Sequence, residues 1–194
     1  MTGKDIIKIT LNLVIVYLIG GLILAVVYAK TSPIMFLNNK IAKEKALKEL
    51  MPDADKIDKM GDWTIHGKHA EYFIATKGDG NMGYVIQSFG KGYSSYINVL
   101  IAVDNDLRIK KVEILSHAET PGLGDEIEKQ EFKGQFKDKV LEQIKLVKQE
   151  TTENIQAISG VTISSRAVTD DAVKNGLTFL AKTLKGETVN VEHK

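Results

Sequence analysis

Small and hydroxyl-bearing residues cluster in the segment Ser159-Gly160-Val161-Thr162-Ile163-Ser164-Ser165, which we call the threonine loop. It precedes a long helical pattern, and the free N–H groups and positive dipole end of a helix favour an anion such as phosphate. Gly160 allows a close backbone approach that a β-carbon would hinder. Because Ser and Thr before a helix are usually N-caps, the loop taken alone is more simply explained as a helix cap.

A second segment, His117-Ala118-Glu119-Thr120-Pro121-Gly122-Leu123-Gly124-Asp125, contains a tight turn and is called the proline loop. Its two glycines expose backbone amides, and Leu123 is the apolar residue at its tip. Such a turn could place Leu123 against a flat ring while N–H groups face the oxygens of that ring. Without further information, an ordinary Pro-Gly turn is the simpler interpretation.

Two other groups of residues resemble metal ligands. His66-x-x-His69 could bind a metal, but a third convincing ligand is missing, so a solvated pair is favoured. Asp104-Asn105-Asp106 lacks the later Gly and Glu positions of a calcium loop, and we expect a solvated turn. The two other histidines of the chain are His117 and His193. We therefore predict no metal site.

Two further residues are notable for their type and position. Arg166, immediately after the threonine loop, could pair with a phosphate or with Asp170 four residues on. The sequence does not decide between these partners. Trp63, the sole tryptophan, is expected in the core.

The elements that would position these loops follow an N-terminal apolar segment. Residues 9–29 carry no charge and include 13 Leu, Ile or Val residues, enough for a helix across a membrane. A cleaved signal peptide is the alternative, since Val27-Tyr28-Ala29 is a passable cleavage pattern, but the apolar run exceeds the usual signal length. We predict a tail (1–8), a transmembrane helix (9–29) and a helical stalk (30–50) beginning near Pro33.

The remaining residues, 51–194, predict one α+β domain with an antiparallel sheet and flanking helices. Alternating apolar runs separated by turn residues indicate strands at 63–65, 70–76, 83–89, 96–103 and 107–115. A short amphipathic helix is predicted at 124–136, a strand near 144–147 and a long helix at 164–184.

Composition excludes several functions. Lys and Arg total 26 against 25 Asp and Glu, so no cationic field would attract nucleic acid. The chain contains no cysteine, which excludes disulfides, Cys-ligated iron–sulfur clusters and thiolate nucleophiles. If the protein carries electrons, it does so through an organic group or a haem held without thiolates.

The two loops together resemble the FMN-binding domain family. Glu119-Thr120-Pro121-Gly122-Leu123-Gly124, followed by the threonine loop and preceded by a membrane helix, is most similar to the G subunit of Rnf electron-transport complexes. The C subunit of sodium-pumping NADH:quinone reductases shares both motifs. Gly90-Lys91-Gly92-Tyr93 also resembles a glycine-rich turn of the family.

The resemblance implies that a flavin transferase joins FMN through its phosphate to Thr162. Val161 stands where the family usually has Ala, and Gln156 stands where many members have Asp. Ser164 and Ser165 are the alternative acceptors. No residue is expected to be catalytic by itself. The expected FMN-binding residues are Ser159, Gly160, Val161, Thr162, Ser164, Ser165, Glu119, Thr120, Pro121, Gly122, Leu123 and Gly124.

The resemblance also implies a function: electron transfer in a membrane Rnf-type complex that couples ferredoxin:NAD exchange to Na⁺ or H⁺ translocation. The chain would be a single-pass protein of the cell membrane, with the FMN domain extracytoplasmic and other subunits as partners. The sequence contains no G-x-G-x-x-G fingerprint for nicotinamide binding, so direct hydride transfer from NADH is not expected. The alternatives are a C-type quinone-reductase subunit, another membrane FMN domain, or a cofactor-free assembly module.

Overall fold

The computed structural model describes residues 2–186, so His193 and the end of the predicted domain lie outside the described residues. The chain divides into two compact units, with the division between residues 43 and 44.

The first helix, α1 (Gly3–Leu50), is continuous and includes Pro33 in its interior. Residues 30–50, predicted as a helical stalk, are therefore helical, but they continue α1 and do not begin anew at Pro33. Proline removes one backbone donor, and the helix continues through it, with Thr31 Oγ1 donating to the Val27 carbonyl at 2.8 Å. Among residues 2–186, α1 is the one helix long and apolar enough to cross a membrane, by length and composition.

The second unit is built around a five-stranded sheet in which each strand pairs antiparallel with the next. The predicted antiparallel sheet is confirmed. The first hairpin has a two-residue loop, His66-Gly67, with φ values of 52° and 68°. A loop with two positive φ values has a backbone twist that matches the twist of the two strands it connects. The strands are β1 (Lys56–Ile65), β2 (Lys68–Lys77), β3 (Gly80–Lys91), β4 (Tyr96–Val103) and β5 (Ile109–Ser116).

The last strand of this sheet, β5, begins at Ile109, two residues later than predicted. Leu107 has φ of 60° and lies in the turn, and the Asp104 carboxylate accepts hydrogen bonds from the amides of Asp106 and Arg108. Lys110 lies 3.0 Å from the same carboxylate. Asp104 thus stabilises a turn and an ion pair, in agreement with our interpretation of this segment.

Both faces of the sheet are covered. On one face, Phe73, Val85 and Leu100 pack with Leu47 and Leu50 from the end of α1. On the other, the central strands pack against the long C-terminal helix, where Trp63 stacks on Phe179 with ring centroids 4.5 Å apart. The Trp63 indole also donates to the Gln87 carbonyl, which confirms the expected core position.

The segment after β5 forms short turns instead of the single helix predicted at 124–136. A 3₁₀ turn (Gly124–Glu128), the helix α2 (Gln130–Lys133) and a second 3₁₀ turn (Gly134–Phe136) follow one another. Lys129 has extended backbone angles between the first two, which interrupts the helix. Ile127, Phe132 and Phe136 are buried, so the apolar pattern reports burial correctly. A short 3₁₀ turn (Leu141–Gln143) and a pair of parallel strands, β6 (Leu146–Val147) and β7 (Ile155–Gln156), follow.

The C-terminal helix covers residues 162–184 in three stretches: α3 (Thr162–Arg166), a π-helical stretch (Ala167–Val173) and α4 (Lys174–Leu184). It begins two residues earlier than predicted, which places Thr162 in its first turn. The π-helical stretch lies directly against β3. A β-carbon built on Gly90 would lie 1.9 Å from the Ala167 carbonyl oxygen, so this close approach requires glycine.

Candidate functional site

A cleft of about 340 Å³ lies where the proline loop meets the threonine loop. A β-carbon built on Gly160 would be 3.9 Å from Leu123 Cδ1, which shows how closely the loops approach. The predicted residues that line the cleft are Glu119, Thr120, Leu123, Gly124, Gly160, Val161, Thr162 and Ser164. The predicted residues outside its lining are Ser159, Pro121, Gly122 and Ser165.

Thr162 is half-buried at the first position of α3. The N-cap residue is Val161, and no side chain caps this end of the helix, so the helix-cap explanation of the loop does not hold. Within residues 2–186, the Thr162 hydroxyl makes no hydrogen bond, and the amides of Thr162, Ile163 and Ser164 have no acceptor. A free hydroxyl thus lies beside free donors at the positive end of a helix.

The two neighbouring serines are placed differently from Thr162. Ser165 is fully buried, donates to the Val161 carbonyl at 2.9 Å and accepts a hydrogen bond from the Ile158 amide. Ser164 is 3% exposed and donates to Glu119. Both hydroxyls already hold the loop together, which makes them poor acceptors for a new group.

Glu119 is buried, and its carboxylate connects three segments. It accepts hydrogen bonds from the Ser164 hydroxyl and from three successive amides, those of Tyr93, Ser94 and Ser95. Burial alone would raise the pKa of Glu119, but these hydrogen bonds to the charged form hold the pKa below its ordinary value. Glu119 therefore braces the cleft, and we had not predicted this role.

The amides of the proline loop are less available than we expected. The amides of Leu123 and Gly124 both donate to the Thr120 carbonyl, at 3.2 and 2.9 Å. They close the turn and do not face the cleft as free donors. The Leu123 side chain is 50% exposed at the edge of the cleft, as an apolar wall for a flat ring requires.

Two lining residues were not among the expected ones. Tyr93 is 75% exposed and Ile163 is 51% exposed, and with Leu123 they give the lining of the cleft three exposed side chains with apolar surface. Tyr93 lies in the turn of residues 92–95, which we call the tyrosine turn. A β-carbon on Gly92 would lie 2.6 Å from Glu119 Oε1. The resemblance of Gly90-Lys91-Gly92-Tyr93 to a glycine-rich turn was the only sequence signal for this wall.

A second groove, of about 310 Å³, adjoins the cleft at Ile163 and is lined by Lys91, Ile163, Arg166, Ala167, Asp170 and Asp171. The pairing of Arg166 with Asp170, one of two expected possibilities, is not found among residues 2–186. Asp170 instead accepts a hydrogen bond from the Leu146 amide at 3.1 Å.

The two histidines of His66-x-x-His69 bind separate carboxylates. His66 Nε2 lies 2.7 Å from Asp171 Oδ1, whereas His69 Nε2 lies 2.9 Å from Asp62. The His69 side chain is 67% exposed, so the expectation of a solvated residue holds there, whereas His66 is only 21% exposed and is not the solvated side chain we expected. Asp62 and Glu71 lie near His69, but Lys59 contacts both carboxylates, at 2.6 and 2.8 Å. The Lys59 ammonium thus supplies the positive charge that a bound metal ion would supply between these carboxylates.

Comparison with known proteins agrees with this site. A model of the FMN-binding domain matches residues 92–178, which include all three cleft-forming segments. The G subunit of a proton-translocating ferredoxin:NAD(+) oxidoreductase complex from Clostridium ljungdahlii is 40% identical over 180 residues, covering 91% of this chain and 94% of the relative. The G subunit of an ion-translocating oxidoreductase complex from Methanosarcina acetivorans is 31% identical, covering 87% and 91%.

A solved structure has a similar fold. The crystal structure of NqrC from Shewanella oneidensis superposes with a TM-score of 0.54 at 24% identity, covering 71% of this chain and 74% of that chain. At that identity the similarity concerns the fold.

Proposed function

Because this chain belongs to the family of G subunits of ion-translocating oxidoreductase complexes, we propose that it carries electrons within a membrane complex through FMN esterified to Thr162. By itself it would be a redox subunit and not a complete enzyme. In such a complex the overall reaction is ferredoxin:NAD(+) exchange coupled to ion translocation, as the names of its relatives state.

The observation that carries the proposal is the free Thr162 hydroxyl beside the free amides of residues 162–164. A phosphate esterified there would meet unpaired N–H donors at a helix N-terminus, where anions are favoured. The cleft volume lies in the range of small-molecule sites. The residues present therefore fit the group.

The side chains around the cleft have distinct roles in this proposal. When bound, FMN supplies the electron-transfer chemistry, which no protein side chain provides. Leu123, Tyr93 and Ile163 would exclude water from an apolar ring. Glu119 holds the tyrosine turn and Ser164 in place, so that the walls are formed before any ligand binds.

Attachment requires an activating base, and the lining of the cleft, as residues 2–186 form it, offers no free one. Glu119 is the only carboxylate among the lining residues, and its hydrogen bonds to Ser164 and three amides occupy it. A hydroxyl is a weak nucleophile without a base. A separate flavin transferase, acting on FAD, would therefore supply both base and metal, with Thr162 presented at the edge of the cleft.

The helix α1 would anchor the protein in the cell membrane as a single span, in contact with lipid and with the other subunits. It has the length and composition that a span requires. We place the FMN domain on the extracytoplasmic side, following the family resemblance. Covalent attachment would then prevent loss of FMN from that compartment.

A denaturing gel tests the proposal. The full chain, produced with a flavin transferase, is denatured, separated and examined under ultraviolet light, and its intact mass is measured. We expect a fluorescent band and a mass increase of one FMN less water. Thr162→Ala should abolish both, whereas Thr64→Ala, an exposed threonine on β1, should change neither. A colourless wild-type chain of unmodified mass would favour a cofactor-free assembly module.

A further inference from the structure

We propose that Arg166 is the counter-ion of the phosphate esterified to Thr162, and that it positions this phosphate while the ester forms. The inference rests on the proposed function and adds a residue to it. Arg166 lines the groove that adjoins the cleft at Ile163.

The spacing of the two residues supports this role. Thr162 and Arg166 are the first and last residues of α3, and residues four apart lie on the same face of a helix. Side chains on a helix lean towards its N-terminus, so a residue covers the turn that precedes it. The guanidinium of Arg166 can therefore extend over the turn that begins at Thr162.

The two carboxylates that line the same groove as Arg166 already accept hydrogen bonds from other groups. Asp170 accepts the Leu146 amide. Asp171 pairs with His66 and accepts hydrogen bonds from the Lys91 amide and from Asn175. Among residues 2–186, Arg166 has no ion pair, although two acidic residues line the same groove. An exposed, unpaired arginine beside free helix amides is a set of groups suited to binding an anion.

The chemistry of attachment calls for such a group. The bond between Thr162 Oγ1 and the FMN phosphorus of FAD forms, the bond from that phosphorus to AMP breaks, and AMP leaves. The threonine proton passes to the base of the transferase. The resulting ester retains one negative charge, which the free amides and a guanidinium together stabilise through charge-assisted hydrogen bonds.

The test measures the initial rate at which purified full-length protein, free of flavin, is modified by purified transferase with FAD and Mg²⁺. Gel fluorescence and intact mass report the product. Arg166→Ala should slow attachment roughly tenfold, as loss of one charge-assisted hydrogen bond implies. Arg166→Lys, which keeps the charge but not the planar fork, should restore part of the rate. Lys174→Ala removes an exposed cation from α4 and should leave the rate unchanged.

A second measurement uses the modified proteins. The ³¹P resonance of the ester should shift in Arg166→Ala relative to wild type and stay in place in Lys174→Ala. If Arg166→Ala is modified at the wild-type rate with an unshifted resonance, the Arg166 assignment is overturned and the Thr162 ester stands. If the wild-type chain gains no adduct, both proposals are overturned.

Discussion

The Ser164 hydroxyl donates a hydrogen bond to Glu119 Oε2 at 2.5 Å, across 45 residues of sequence. Because the same carboxylate accepts three amides of the tyrosine turn, one buried side chain holds together the three segments that form the cleft. Removing its charge should therefore affect all three at once.

Glu119→Gln should destabilise the fold. The substitution replaces one of the two acceptor oxygens by an NH₂ group, which donates and cannot accept, so the donors bonded to that oxygen lose their partner. We expect the free energy of unfolding to fall by about 2–4 kcal/mol, measured by urea denaturation of the full chain in detergent. Glu142→Gln, at an exposed position, serves as the control. An unchanged denaturation midpoint for Glu119→Gln would contradict the bracing role.

Stability should also depend on pH through Glu119. The pKa of this carboxyl is lowered in the native state from an ordinary value of 4.5, so the unfolded chain binds more protons in this range. The stabilisation is fully present above pH 4.5 and is lost as pH falls through the lower native pKa. Denaturation at pH 5.5 and 3.5 should show a smaller acid-induced loss in Glu119→Gln than in wild type. Equal losses would show that other carboxylates dominate.

Gly90→Ala should disturb the contact between β3 and the π-helical stretch. The added β-carbon would lie 1.9 Å from the Ala167 carbonyl oxygen and 2.5 Å from its carbon, and backbone must move to admit it. We expect a loss of about 3 kcal/mol or more in the free energy of unfolding. At Gly134 the nearest atom to a β-carbon is 3.7 Å away, so Gly134→Ala should be nearly neutral. Similar melting temperatures for the two variants would refute the close packing.

Leu123→Ser should weaken binding of free FMN without unfolding the protein. Leu123 is half-exposed, so its loss has little effect on the core, whereas a bound ring would cover it. Measured by fluorescence titration in a Thr162→Ala background, the Kd should rise roughly fivefold to thirtyfold, from about 1–2 kcal/mol of lost apolar burial. Met60→Ser, at an exposed apolar residue of β1, should leave the Kd unaltered.

The sheet could be predicted from sequence because its signals are local. Alternation along each strand and turn residues such as His66-Gly67 specify hairpins between neighbouring segments. The break at Lys129 could not be predicted, since the apolar spacing of Ile127, Phe132 and Phe136 is compatible with one helix. The π-helical stretch likewise depends on packing against β3, which no local pattern reports.

The two loops of the candidate site were predicted from sequence, but the hydrogen bonds that connect its segments were not. The two loops can be recognised from sequence because glycine and proline favour turns and threonine offers a hydroxyl. A glutamate such as Glu119 is usually exposed in proteins, so its burial under the tyrosine turn is visible only once distant segments pack. Tyr93 was missed for the same reason, because its position in the wall depends on the hydrogen bond that its own backbone amide donates to Glu119.

Because the paired strands of the sheet are also consecutive in sequence, the order of synthesis bears on when the cleft can form. All five strands of the meander precede residue 117, so they are synthesised before the C-terminal helix that covers one face of the sheet. Thr162 reaches its position only when that helix packs on β3. A modifying enzyme that recognises the finished cleft would therefore act after folding, and its product would mark chains that have folded completely.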